Sequence, residues 1–154
     1  MPNDRLSTAY QSAAEYPSAP QLGDLQGLCR SVHAETRLMG LFLVRREIER
    51  LGPKPDYFHL GRTAIDDADN DCRWQGLIIV GEYIPTQALA VWEIIANYGE
   101  SQDEDMRTGI ACVLLEHLLE QDERTYRPMA EALAARSSLF YKTLGICWNF
   151  THDG

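Results

Sequence analysis

Asp66, Asp67, Asp69 and Asp71 place four carboxylates within six positions, just ahead of Cys72-Arg73-Trp74 and a strongly apolar run. Oxygen donors at this spacing are what a calcium loop uses. Counted from Asp67, its first three ligand positions are met by Asp67, Asp69 and Asp71. The remainder departs from that pattern: Cys72 stands where the sharp turn needs glycine, and Ile78 where a bidentate glutamate should close the site. The competing chemistry is that of a helix start. There, acids satisfy free N–H groups and the positive end of the helix dipole, each contributing about 0.3–1 kcal/mol. A divalent-cation site in the 66–71 loop, or a metal-dependent enzyme built on it, is therefore the alternative reading, and capping is the first.

No other constellation promises catalysis. Cys29, Cys72, Cys112 and Cys147 lie 43, 40 and 35 positions apart, without a CxxC pair or a histidine at zinc-ligand spacing, so they read as separate reduced thiols. Glu116 and His117 are adjacent and point about 100° apart on a helix, so they are not a ligand pair. The same geometry disposes of His33 with Glu35, while His59 and His152 fall in loop or terminal segments without an identifiable partner. There is no HExxH, nucleophile elbow, phosphate-binding loop or dinucleotide fingerprint. Trp74, Trp92, Trp148, Tyr83 and Tyr98 read as packing aromatics. The chain is expected to be non-enzymatic, with no cofactor, metal or catalytic residue.

Charge narrows the partners. The net charge is −9, and it is unevenly placed: residues 1–60 hold seven basic and seven acidic side chains, residues 61–154 seven basic and sixteen acidic. A nucleic-acid backbone needs a positive footprint, so that partner is excluded. A basic protein is the natural complement of such a field. No apolar run approaches the roughly 20 residues of a membrane helix. The first residues lack the basic start and apolar stretch of a secretory signal, which makes the cytoplasm the expected location.

The elements that must position these acids are read from periodicity. Residues 1–23, interrupted by Pro2, Pro17 and Pro20, predict a partly flexible arm with a frayed helix near Leu6–Glu15. From Asp24 to Leu51, Leu25, Leu28, Val32, Leu38, Leu41, Val44, Ile48 and Leu51 recur at three and four, apart from one wider step. This predicts a long amphipathic helix, capped by Asp24, stopped by Gly52-Pro53, and bent or broken between Val32 and Leu38. Residues 52–70 read as a loop. Further helices are predicted at about 72–84, 86–99 and 106–121, then one to Arg136 and one from Ser138 to about Trp148. The 106–121 helix is apolar over so much of its circumference that it must be packed on two sides.

The two acidic starts are related. Asp69-Asn70-Asp71-Cys72-Arg73 stands over Asp103-Glu104-Asp105-Met106-Arg107 at a shift of 34, and Glu82 falls on Glu116. A period of 20–50 residues built from helix pairs marks an α-solenoid. In Asp103 to Leu114 the chain resembles the HEAT-like repeat families, through Asp103, Met106, Arg107, Ala111 and Leu114. The earlier copy has Cys72 in the apolar place and Leu77 in that of the alanine. The resemblance extends over residues 65–137 and reaches to small bacterial helical proteins of this kind. It implies an all-α fold: HEAT-like hairpins at about 66–99 and 100–137 stacked on a long N-terminal helix, within one domain over 24–154. It also implies a structural role between repeats for Arg73, Asp105 and Arg107, with Arg107 reaching the Asp69–Asp71 turn. The surplus acids, Asp66, Asp67, Asp69, Asp71, Glu100, Asp103 and Glu104, are expected to form a partner-binding edge, extended on the next turn by Glu116, Glu120, Asp122 and Glu123. A toxin-neutralising immunity protein is compatible with that size and charge.

Overall fold

The three-and-four spacing is realised as helix throughout: in the computed structural model, which describes residues 4–147, every regular element is helical. The fold class is all-α. The chain divides into two compact units, Met1–Ile79 and Val80–Gly154. No helix among the described residues is long and apolar enough to cross a membrane. Trp148 and His152 lie outside the described residues.

The first unit contains α1 (Asp4–Ala14), α2 (Leu22–Cys29), α3 (Ala34–Leu51), α4 (Pro55–Ala64) and most of α5 (Asn70–Gly81). The stretch from Asp24 to Leu51 is two helices, broken where the apolar stripe rotates. Val32 is left 87% exposed at the break, and a new start is set by Ser31, whose Oγ accepts from the His33 N–H. Asp24 lies in the first turn of α2 and reaches back to accept from the Gln21 N–H at 3.0 Å, a reciprocal cap. Gly52 ends α3 with φ 84°, a left-handed conformation that glycine adopts without a Cβ clash.

Residues 52–70 are not all loop, as their prolines and glycine led us to expect. Pro55 opens α4, where its missing N–H has no role, and Tyr57, Leu60, Gly61 and Ala64 bury one face of that helix. Helices α1 and α2 both pack on α3, and α4 touches α2 and α3. Leu25, Leu38, Leu41, Leu43, Val44, Ile65, Leu77 and Ile79 form the fully buried centre of the unit. Two glycines allow close helix approach. A Cβ on Gly40 would lie 2.9 Å from Leu28 Cβ, and one on Gly76 2.7 Å from the Gly61 carbonyl oxygen.

The second unit holds α6 (Ile84–Tyr98), α7 (Glu104–Gly109), a π-helical continuation (Ile110–Leu115), α8 (Glu116–Arg136) and α9 (Ser138–Ile146). The π-helical stretch packs against both α6 and α9, as its wide apolar circumference requires. Helix α8 turns sharply at Asp122, which leaves helical geometry, and its carboxylate caps the Thr125 N–H at 3.1 Å. Ser137 caps α9 through the Phe140 N–H. Trp92 stands 6.1 Å from Tyr126 and 6.2 Å from Phe140, ring centre to ring centre. Around these aromatics Ile95, Ile110, Leu114, Leu115 and Leu118 are sealed from solvent. Helices begin at Ala34, Asn70, Glu104 and Ser138, that is, at intervals of 36, 34 and 34 residues.

Candidate functional site

The acidic turn of the first unit is built on a local device that recurs. Ser31 Oγ accepts from the N–H two residues on, at His33; Asp67 Oδ1 does the same for Asp69 and Ser101 Oγ for Asp103. Six residues after each stands an arginine, Arg37, Arg73 or Arg107. Arg37 Nη1 donates back to the Ser31 carbonyl at 3.0 Å, and Arg107 Nη1 to the Ser101 carbonyl at 2.8 Å. These arginines close the turn that starts their own helix. Arg73 Nη2 donates to Asn70 Oδ1, again within its own turn.

In the second of these turns an aspartate replaces the serine, and its carboxylate does additional work. Arg37 grips Asp67 with two parallel bonds, Nε to Oδ2 at 2.8 Å and Nη2 to Oδ1 at 2.9 Å. Such a fork is the strong form of a charge-assisted hydrogen bond. Asp69 accepts from the Cys72 N–H at 3.0 Å as a helix cap, and also pairs with Arg5 Nη2 at 2.6 Å. The same Arg5 guanidinium lies 3.4 Å from Asp71 and 3.5 Å from Glu35. Asp66 pairs with Arg62 at 3.3 Å on the surface.

Electrostatics follow from this geometry. Burial pushes the Asp69 carboxyl up, but the Cys72 N–H and the Arg5 guanidinium outweigh it and hold the group below its ordinary 3.8. Arg37 is held more firmly protonated by its hydrogen bond to Asp67, and Arg5 by that to Asp69. The buried Cys72 thiol is pushed up to about 12 by desolvation and by Asp67 and Asp69, so it stays a thiol and is no nucleophile at neutral pH. With Asp67 and Asp69 taken by guanidinium and N–H donors, the loop offers a cation few open oxygens. Among the described residues no three His, Cys, Asp or Glu side chains are grouped to hold a metal ion.

The turn of the second unit is different. Glu100, Asp103, Glu104 and Asp105 are all exposed. Asp103 caps the Asp105 N–H at 3.0 Å, the expected use of an acid at a helix start. Glu100 and Glu104 enter no ion pair among the described residues. Arg107 directs Nη1 to the Ser101 and Gln102 carbonyls, and its Nε is buried without a hydrogen-bond partner among the described residues. Elsewhere in this unit Arg127 pairs with Glu123 and Glu131, and His117 lies 3.5 Å from Glu120.

The residues missed by sequence reasoning are Arg5, Arg37 and Glu35. A signal for Arg37 was present: Arg37-Leu38-Met39-Gly40-Leu41-Phe42-Leu43-Val44 stands over Arg73-Trp74-Gln75-Gly76-Leu77-Ile78-Ile79-Val80, an R-x-x-G-L-x-x-V match at a shift of 36. Arg5 has no such marker, because it belongs to a helix outside the repeating pattern. Comparison with family models, with curated proteins and with solved structures finds no match to this chain.

Proposed function

We propose that the chain is a non-enzymatic interaction module, a short solenoid of HEAT-like helix pairs, that takes a basic protein partner on the acidic edge around Glu100, Asp103 and Glu104. The even spacing of the helix starts at Ala34, Asn70, Glu104 and Ser138 supports the repeat reading. The observation that carries the partner reading is the contrast between the two turns. Asp67 and Asp69 are neutralised by arginines of their own unit, whereas Glu100 and Glu104 stand exposed without a counter-ion among the described residues. Residues 80–154 contain twelve acidic and five basic side chains, a net −7, so this edge lies in the more negative part of the chain. A field of that sign steers a cationic partner and repels an anionic one. An immunity protein that neutralises a basic toxin is one setting such a module fits.

The test is a charge reversal that spares the caps. Glu100→Lys with Glu104→Lys leaves Asp103 and its hydrogen bond in place. Captured from native lysate at low salt, the wild-type chain is expected to retain a basic protein that the double variant loses and that elutes as salt is raised. Retention of the same protein by both chains, at the same salt, would overturn the reading.

A further inference from the structure

Helix α1 packs on α3 as α2 does, but through smaller buried side chains. Of its eleven residues only Ala9 and Ala13 are buried, and both are too small to bury much apolar surface. Besides the half-buried Leu6, it is held by Arg5 in the acidic turn, by Arg46 Nη1 donating to the Ala13 carbonyl at 2.9 Å, and by Tyr10 edge-on to Phe42 at 5.6 Å. The segment that joins it to α2 carries Pro17 and Pro20.

Its seams with α3 are not filled. On one side a cleft of about 130 Å³ runs between Tyr10, Ala13, Phe42, Arg45 and Arg46. On the other a more open cleft of about 390 Å³ runs between Arg5, Thr8, Ala9, Glu35 and Met39. Small α1 side chains border both. Charge is matched at Asp69, by Arg5 and the nearby Arg37, and more loosely at Glu35 and Asp71. Arg5 brings one positive charge to Glu35, Asp69 and Asp71, and the other charged residue of α1 is Asp4.

We propose that the face of α3 beneath α1, with Glu35, Asp69 and Asp71 at one end, is a docking groove for a basic amphipathic helix of a partner protein, and that α1 is its intramolecular occupant. The inference rests on the reading of the chain as an interaction module only in supposing that a partner exists. A helix with larger apolar residues at the places of Thr8 and Ala14, which are exposed and border the clefts, fills them. A second cation near the place of Asp4 meets the carboxylates that Arg5 shares. Such a helix displaces α1, which then hangs from its proline-containing connector.

The probe is a labelled synthetic peptide of residues 1–16 carrying Asp4→Lys, Thr8→Leu and Ala14→Leu, titrated against the full chain. An Arg5→Gln chain, whose tethered competitor is weakened, is expected to bind it about tenfold tighter than wild type, and saturation is expected to strip the α1 amides of exchange protection. Adding Asp69→Asn and Asp71→Asn to Arg5→Gln is expected to weaken binding about tenfold. If loss of the Asp69 cap unfolds that chain, Glu35→Gln with Asp71→Asn takes its place. Equal affinity for all chains, or binding that leaves α1 protected, would overturn the proposal. Reversal of Glu100 and Glu104 must leave this binding unchanged, so failure here and failure of the second-unit edge are told apart.

Discussion

Without the Arg37 guanidinium, Asp67 would keep the Asp69 N–H in a place where its side chain is only 12% exposed. A partly buried carboxylate stripped of its fork loses more than a surface ion pair, because the desolvation penalty remains after the partner has gone. Arg37→Lys keeps the charge but not the parallel pair of donors. It is expected to lower stability by about 1–3 kcal/mol, read as a shift of the urea midpoint at constant slope. An unchanged midpoint would mean that the fork contributes nothing. Asp69 supplies a pH dependence of definite sign. Its folded pKa is depressed below 3.8, so its stabilisation is fully present above that value and is lost as pH falls through the folded pKa. Hydrogen exchange of α1 is expected to accelerate in that acid window before the core of the unit opens, and Asp69→Asn is expected to reduce the pH dependence, the remainder coming from Glu35 and Asp71. The acids themselves were plain in the sequence, since four in six positions cannot be overlooked. Their partners were not, because Arg37 lies 30 positions and Arg5 64 positions before the carboxylates they hold most closely.

At the scale of elements, periodicity is a sound guide wherever one face of a helix is buried, and it fails where punctuation has two meanings. Pro53, Pro55 and Gly61 read as a loop, yet Pro55 is a helix start and Gly61 a contact: a Cβ there would lie 2.4 Å from Ile79 Cγ2. Helix α4 escaped notice for that reason, although Tyr57, Leu60 and Ala64 carry the right spacing. The break between α2 and α3 was legible as a rotation of the stripe, and the Ser31 turn explains where it falls. Gly76 gives the sharpest test of how these helices meet. A methyl group there would collide with backbone, the Gly61 carbonyl at 2.7 Å and the Ile65 nitrogen at 2.9 Å, and backbone cannot rotate aside. Gly76→Ala is therefore expected to destabilise by about 1–3 kcal/mol, although alanine is the better helix former by roughly 1 kcal/mol at an exposed site. Thermal unfolding of the variant measures the sign directly. A raised Tm would show that α4 and α5 can move apart freely.

For the molecule as a whole, the relevant quantity is where charge is matched. The first unit holds eleven acidic and nine basic residues, and several of its carboxylates lie within 4 Å of an arginine. The second holds twelve and five, its Arg107 is buried against carbonyl groups, and beyond the Arg127 pairs with Glu123 and Glu131 its net charge of −7 leaves repulsion among acids. Salt weakens both kinds of interaction, since the screening length falls from about 10 Å at 0.1 M to about 3 Å at 1 M. The consequences have opposite signs. Screening repulsion stabilises the second unit, whereas screening the Arg5 cluster loosens α1. Hydrogen exchange followed from about 0.05 to 0.5 M sodium chloride is therefore expected to show slower exchange in residues 84–146 and faster exchange in α1. Replacing Glu100 and Glu104 by glutamine is expected to flatten the first response and leave the second unaltered. Exchange that changes in the same direction in both places would show that net charge, rather than its pairing, governs how this chain responds to salt.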